Sequence, residues 1–242
     1  MTSLDYFFFS AYPYVVFIVF LVGTIYRYRE KGFKVTSLSA QFLESEKGFW
    51  GTVPFHWGIL MVFLGHLVAF LFPSSVLAWN SNPVRLIIHE GVGFTFAVAV
   101  VVGLVGLILR RLLDPRLRVV TTRMDYFVEF MLLAQVLLGC WIALGYRWGS
   151  SWFAADLSPY LWSVIKLNPQ TEAVVAMPLV IKAHIVGAFS ILLIFPFTRL
   201  VHIVVAPLHY IWRPYQVVIW NWDRKRIREP DTPWSRARPR NN

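Results

Sequence analysis

Five long apolar runs constrain the fold of this 242-residue chain more than any other feature. A helix needs about 20 consecutive apolar residues to cross the hydrocarbon core of a bilayer. The five runs, with at most one charged residue each, are Tyr6–Tyr26, Gly48–Val84, Gly91–Leu109, Phe130–Tyr146 and Ala173–Thr198. We expect the third helix to begin near Arg85, the fourth near Asp125, and the fifth to continue to about Val205. The sequence predicts an all-α membrane protein in which five transmembrane helices form a bundle.

Composition agrees with this class. The chain is 57% hydrophobic and 15% charged, whereas an ordinary soluble domain has about 25% charged residues. Its single cysteine, Cys140, excludes a disulfide framework, a Cys-ligated iron–sulfur cluster and a Cys-x-x-Cys-His haem attachment site. Any redox centre in this chain needs other ligands.

Basic residues predict the orientation of the helices. Eighteen of the 23 Lys and Arg residues lie in segments 27–50 and 110–123 and in the tail beyond residue 205. Because basic residues are retained on the cytoplasmic side, we expect the N-terminus outside and the C-terminus in the cytoplasm. The net charge of +10 therefore indicates membrane orientation and not nucleic-acid binding. We predict a membrane domain over residues 1–215 and a basic cytoplasmic tail over 216–242.

The segment between the fourth and fifth runs, about 147–175, is the only long one predicted on the outer side. Its aromatic residues are typical of a segment lying among lipid headgroups. They include Trp148, Trp152, Phe153, Tyr160 and Trp162.

Four of the six histidines lie inside apolar runs, where ionisable groups are costly and usually functional. His56 and His66 fall in the second run, and His184 and His202 fall in the fifth predicted helix, which continues past its run to about Val205. Calcium and magnesium prefer oxygen ligands, and zinc ligands on a helix usually stand three or four residues apart. No carboxylate lies alongside these histidines to form a proton relay with them. Two noncovalent b-type haems, each held by two histidines, fit this set best.

Topology predicts how the histidines pair. The second and fifth helices cross in opposite directions, so His56 and His202 lie near the cytoplasmic face and His66 and His184 nearer the outside. At about 100° per residue, the 18-residue spacing of the later pair returns to one helix face. Small residues would let a flat ring approach the backbone, and the candidates are Gly58, Gly65 and Gly187.

Other polar residues leave two interpretations open. His89, beside Glu90, is either an interfacial residue or, with Arg85, a group that binds a quinone oxygen or takes a proton. Arg110, Arg111 and Arg199 are candidate partners for haem propionates, although ordinary anchoring on the cytoplasmic side explains Arg110 and Arg111 equally well. His209 is assigned to the inner boundary.

Four motifs resemble a known family, the gamma subunit of membrane-bound respiratory nitrate reductase, which is the cytochrome b subunit of that complex. They are Phe7-Phe-Phe-Ser-Ala-Tyr-Pro-Tyr14, Phe55-His-Trp-Gly-Ile-Leu-Met-Val-Phe-Leu-Gly-His66, Arg110-Arg-Leu-Leu-Asp-Pro-Arg-Leu-Arg118 with Thr121-Thr122, and Phe195-Pro-Phe-Thr-Arg-Leu-Val-His202. The resemblance spans nearly the whole chain.

The resemblance implies an inner haem b on His56 and His202 and an outer haem b on His66 and His184. It also implies a quinol site beside the outer haem, where Arg85 best matches a lysine that the family carries near the start of the third helix. Electrons from quinol would pass to a cytoplasmic iron–sulfur beta subunit and a molybdenum-containing catalytic alpha subunit that reduces nitrate. The expected location is a bacterial or archaeal cytoplasmic membrane, with the chain crossing it several times.

Two alternatives stay open on sequence alone. One is a cytochrome b subunit of a nitrite oxidoreductase or of another membrane-bound reductase. The other is a haem-free membrane anchor or small transporter, whose histidines would bond to helix neighbours or line a polar path.

Overall fold

The computed structural model describes residues 3–31 and 49–204, and these residues form helices and connecting turns without a β-strand. Five helical segments are long and apolar enough to cross a membrane. They are Leu4–Glu30, Phe49–Leu71, Pro83–Leu113, Arg123–Gly145 and Leu179–Phe197. The predicted all-α fold with five transmembrane helices is confirmed. The orientation stays a prediction, and the boundary at residue 215, the tail and His209 lie outside the described residues.

The spans are built from long helices with short helices between them. The chain begins with α1 (Ser3–Tyr6) and a π-helical turn (Phe7–Ala11). The long helices are α2 (Tyr12–Lys31), α3 (Phe49–Leu71), α5 (Pro83–Leu113), α7 (Arg123–Gly145) and α11 (Leu179–Ile194). The short helices are α4 (Pro73–Asn80), α6 (Pro115–Val120), α8 (Gly149–Trp152), α9 (Ser158–Ile165) and α10 (Glu172–Ala176). Helices α4, α8, α9 and α10 connect spans at one end of the bundle, which we call the α9 end. The opposite end, where α6 lies, is the α6 end.

Polar caps set where two spans begin. The Asn82 side chain accepts hydrogen bonds from the backbone N–H groups of Val84 and Arg85, at 3.0 and 3.3 Å, and Pro83 is the first residue of α5. At α7, Thr122 and Asp125 form a reciprocal capping box. Caps of this kind stabilise a helix by about 1 kcal/mol each. Both helices therefore begin two residues before the predicted positions.

The fifth span ends earlier than predicted. Helix α11 ends at Ile194 and is followed by a 3-10 turn over Phe195–Phe197. Pro196 has no N–H to continue the α-helical ladder, and Thr198 is extended, with φ −115° and ψ 177°. A second 3-10 turn, Arg199–Ile203, carries His202. The expectation of one helix to about Val205 is wrong, and a shared helix face for His184 and His202 no longer follows from their spacing.

Glycines bring α3 and α5 into close contact. A Cβ on Gly58 would lie 2.8 Å from the Phe96 carbonyl oxygen, and a Cβ on Gly103 would collide with the backbone of Phe55. Gly58 is thus used for helix packing and does not provide the close approach to a haem that we expected from it. From this pair the spans continue as neighbours, α5 packing on α7, α7 on α11 and α11 on α2.

The segment after α7 packs onto the spans more closely than a headgroup-lying segment would. Tyr160 is 1% exposed, and its hydroxyl donates to the Phe9 carbonyl oxygen at 2.9 Å. Burial raises the pKa of the Tyr160 hydroxyl above its ordinary value. The ring of Trp162 stacks on Phe70 with centroids 5.0 Å apart, and its Nε1 donates to the Phe70 carbonyl. Trp148, by contrast, is exposed.

Candidate functional site

Two histidines of α3 present the same nitrogen atom for binding. The Nδ1 atoms of His56 and His66 donate to the carbonyl oxygens of Thr52 and Val62, one turn earlier, at 2.7 and 2.8 Å. A carbonyl only accepts, so each imidazole carries its proton on Nδ1 and leaves the lone pair of Nε2 available. Both side chains are exposed on a span made mostly of apolar residues, a position where an ionisable group usually has a function.

His184 lies on a different span, α11. Its imidazole faces α7, on the side where Gly139 lies. Its Nδ1 is buried and has no hydrogen-bond partner among the described residues. A buried polar nitrogen without a partner is costly, so hydrogen bonds within the described residues do not account for the position of this imidazole.

Helix α7 fixes the place of His184. The Gln135 side-chain amide donates to the His184 carbonyl oxygen at 2.9 Å. Gly139, one turn later, faces the ring, and a Cβ there would lie 3.2 Å from Cε1 of His184. The expected role of Gly187 in approaching a haem is replaced by helix packing, because its missing Cβ makes room for Gln135. Gly65 is different, since a Cβ there would meet nothing within 4 Å in the described part of the chain.

These features fit a haem b held by His66 and His184. Haem iron takes one imidazole nitrogen from each face, and an Nδ1–H···O=C bond is the usual way in which proteins orient such a ligand. Within residues 3–31 and 49–204, no group of three or more His, Cys, Asp or Glu side chains is placed to hold a metal ion, and two histidines are all that a haem iron needs from the protein. For the inner pair, the structure describes the His56 ring, whereas the side chain of His202 lies outside what is described.

Charged residues form a cluster at the α6 end. Arg111 pairs with Glu129 at 2.9 Å and lies 3.9 Å from Asp125, and Arg199 pairs with Asp125 at 2.7 Å. Arg199 also donates to the Val120 carbonyl oxygen at 3.1 Å. Two of the three predicted propionate partners thus have carboxylate partners within the protein, and the cluster joins α5, α7 and the turn that carries His202. The propionate role of these arginines, and of Arg110, stays a prediction.

At the α9 end, the structure brings both predicted quinol residues to one part of α5. Arg85 and His89 are four residues apart, so they share a helix face. The Arg85 guanidinium lies over the Trp79 ring at 5.1 Å. His89 Nδ1 lies 3.0 Å from Oδ1 of Asn80, the next residue of α4.

The His89 contact belongs to a longer polar network. Asn80, 7% exposed, donates from Nδ2 to the hydroxyls of Ser150 and Ser151 at 2.9 and 3.0 Å. The Ser150 hydroxyl and backbone N–H both donate to Oε1 of Glu90, at 2.6 and 2.8 Å. The network therefore links α4, α5 and α8 and returns to the residue next to His89.

The segment that begins at α8 connects this network with the candidate haem ligands. Ser150 and Ser151 contact Asn80, whereas Phe153 in the π-helical turn Phe153–Leu157 meets the His66 ring edge-on, with centroids 5.3 Å apart. His66 stands five residues before the end of α3 and His89 six residues after the start of α5, about 8 and 9 Å from the two helix ends at 1.5 Å per residue. The two histidines are therefore at similar depth on packed helices.

An open cavity of about 480 Å³ also lies at the α9 end, lined by residues that include Tyr146, Arg147, Trp152 and Asp156. None of the predicted haem or quinol residues lines it. It is therefore separate from the site described above.

Several residues of the site were missed in the sequence. Gln135 was a visible signal, because a side-chain amide inside an uncharged span needs a partner. Glu129 immediately precedes the fourth apolar run, so a charge count within that run excludes it. Asn80 and Ser150 carry no signal in a single sequence, because Ser150 lies 70 positions from Asn80 and 60 from Glu90.

Comparison with known proteins agrees with this arrangement. Residues 5–221 match the family model described as nitrate reductase gamma subunit. The chain is 34% identical to the nitrate reductase gamma chain of Bacillus subtilis over 210 residues, which is 85% of this chain and 93% of that protein. It is 33% identical to the respiratory nitrate reductase 2 gamma chain of Escherichia coli over 221 residues, covering 89% and 96% of the two chains. The chain belongs to the nitrate reductase gamma subunit family.

Proposed function

We propose that this chain is a dihaem cytochrome b membrane subunit that oxidises quinol near the outer face and passes electrons to cytoplasmic nitrate reductase subunits. The observation that carries the proposal is the presence of one candidate ligand on each of two spans, His66 with Nε2 available and His184 with an unpartnered Nδ1. Membership of the family makes the chain part of an oxidoreductase complex in a membrane. The partners are an iron–sulfur beta subunit and a molybdenum-containing alpha subunit.

In this proposal the outer haem b is held by His66 and His184 and the inner one by His56 and His202. When bound, each haem supplies a one-electron carrier, and the protein supplies position and surroundings. The chain's own contribution is visible in the backbone bonds that orient the α3 imidazoles and in the contacts of Gln135 with the His184 backbone.

The quinol site is assigned to the face of α5 that carries Arg85 and His89. A quinol needs hydrogen-bonding groups for its oxygens and apolar surface for its ring. Arg85, Trp79 and His89 supply both kinds of contact at one end of the bundle. With the predicted orientation, this end faces the outside, so protons from the quinol are released there while electrons move inward.

Haem content of the purified complex tests the assignment. The pyridine haemochrome spectrum is expected to give two haems b per gamma chain in the wild type and one in His66→Ala or His184→Ala, with the complex still assembled. His89→Gln is the matched control, because it removes a histidine from the same end of the bundle and should keep both haems.

The same variants test the electron path. Quinol-driven reduction, measured with menadiol, is expected to stop in His66→Ala and His184→Ala. Reduction that survives either change would refute the path through the outer haem, and a wild-type chain without haem would favour the haem-free anchor.

A further inference from the structure

The network of Asn80, Ser150 and Glu90 allows neutral His89 only one of its two tautomers. Asn80, Ser150 and Glu90 lie on three different helices, and their contacts with one another and with His89 measure 2.6 to 3.0 Å. Only at Glu90 do the partners fix the donor and the acceptor directly, because a backbone N–H can only donate. The direction of the whole network then follows from its carboxylate end.

Glu90 sets the direction. Its Oε1 accepts from the Ser150 backbone N–H, which can only donate, and from the Ser150 hydroxyl. Because the hydroxyl proton is used there, the Ser150 oxygen presents lone pairs to Asn80 and must accept from Nδ2. This places Oδ1 of Asn80 toward His89. An amide oxygen only accepts, so the imidazole proton is on Nδ1, and Nε2 carries the lone pair.

Ser151 cannot enforce this direction. It also accepts from Asn80 Nδ2, at 3.0 Å, but its hydroxyl can rotate and donate instead. If Asn80 turned over, Ser151 would still bond to it, whereas the Ser150 oxygen would face Oδ1 with lone pairs on both sides. The contact between Ser150 and Glu90 is therefore what prevents the reversed amide and the other tautomer of His89.

We propose that Asn80, Ser150 and Glu90 are positioning residues that hold His89 with Nε2 unprotonated, as the base that takes a proton from quinol. This inference rests on the proposed function, which supplies the quinol and the oxidant. The quinol O–H bond breaks and its proton forms an N–H bond with Nε2 of His89, while the one electron removed would be taken up by the oxidised haem that His66 and His184 would hold. Complete oxidation to quinone removes two protons and two electrons in all, and His89 accounts for one of the protons at a time.

The neighbouring serines provide a matched pair of variants. Ser150→Ala removes the link to Glu90, whereas Ser151→Ala leaves the path from Asn80 to Glu90 intact. Loss of one hydrogen bond changes the tautomer ratio by about fivefold, which corresponds to about 1 kcal/mol. The kcat for menadiol oxidation should therefore fall by up to about fivefold in Ser150→Ala and stay unchanged in Ser151→Ala, with KM and haem content unchanged in both. Glu90→Leu should behave as Ser150→Ala does. Glu90→Gln should retain activity, because its Oε1 can still accept from both Ser150 donors. His89→Gln removes the base and should lower kcat about 100-fold.

The tautomer itself can be measured without turnover. Nitrogen-15 solid-state NMR of the histidine-labelled complex, reduced so that the bis-histidine haems are diamagnetic, distinguishes protonated from unprotonated ring nitrogens, and the difference from His89→Gln identifies His89. The expected result is Nδ1–H in the wild type, Ser151→Ala and Glu90→Gln, and an increase of Nε2–H in Ser150→Ala.

Two results would overturn the inference: Nε2–H at His89 in the wild type, or equal spectra and equal kcat in the two serine variants. Either can occur while both haems are present and menadiol is oxidised, which would leave the proposed function standing. Loss of haem or of quinol oxidation in the wild-type complex would instead refute the proposed function.

Discussion

Substituting Gly139 by alanine tests whether α7 sets the position of His184. The added Cβ would lie 3.2 Å from Cε1 and 3.8 Å from Nε2 of the imidazole, whereas carbon atoms in contact prefer about 3.5–4.0 Å. The ring must then move by a few tenths of an ångström. Overpacking of this kind costs about 1–3 kcal/mol, and replacing a mid-helix glycine by alanine returns about 0.5–1 kcal/mol. We expect a net loss of about 1 kcal/mol of folding free energy.

The larger consequence concerns the proposed outer haem. Because His184 is its ligand in our proposal, moving the ring should change the midpoint potential and the low-spin EPR signal of one haem and leave the other unchanged. Optical redox titration and EPR of the purified complex measure both, and thermal unfolding followed at the haem band measures stability.

Gly93→Ala on α5 is the matched control, because a Cβ there meets nothing within 4 Å among the described residues. It should gain a little stability and leave both haem signals as in the wild type. The reasoning fails if Gly139→Ala gives the same potentials, the same EPR signals and the same unfolding temperature as Gly93→Ala.

Three further substitutions address other parts of the molecule. Arg85→Gln should raise KM for menadiol while haem content stays constant; a loss of haem would instead give Arg85 a structural role. Tyr160→Phe leaves the buried Phe9 carbonyl without its 2.9 Å donor and should cost about 1–3 kcal/mol, detectable by thermal unfolding and absent if water replaces the hydroxyl. Arg199→Leu removes the 2.7 Å partner of Asp125, which is 8% exposed, and should cost about 1–3 kcal/mol; unchanged stability would mean that Arg111 compensates.

The spans were predictable because membrane thickness fixes how many apolar residues a crossing needs. The exact ends of the spans were harder to predict, because polar residues set them. The capping box of Thr122 and Asp125 extends α7 beyond the apolar run, and hydropathy does not register capping. Pro196 was visible, but a proline either kinks a helix or ends it, and the extended Thr198 decides the outcome here.

The candidate site was predictable in its residue types and not in its contacts. Histidines inside apolar runs are conspicuous, so His56, His66 and His184 could be found from one sequence. Which glycine faces an imidazole depends on how the helices are rotated about their axes. In this structure Gly139 faces the His184 ring, whereas Gly187 faces the Gln135 side chain. The rotation results from the packing of many side chains, for which a single sequence has no periodic signal.

The two ends of the bundle use polar residues differently, and the difference matches the chemistry proposed for each. At the α6 end, guanidinium and carboxylate groups neutralise one another across α5, α7 and the turn that carries His202, an arrangement that holds these elements together. At the α9 end, the carboxylate next to His89, that of Glu90, is engaged by Ser150, and this network ends on an imidazole instead of a cation. A neutral imidazole can take a proton and later release it, whereas an arginine stays protonated at any physiological pH. In our proposal, proton release from quinol therefore occurs at the α9 end, where Arg85 can bind a quinol oxygen and His89 can accept the proton.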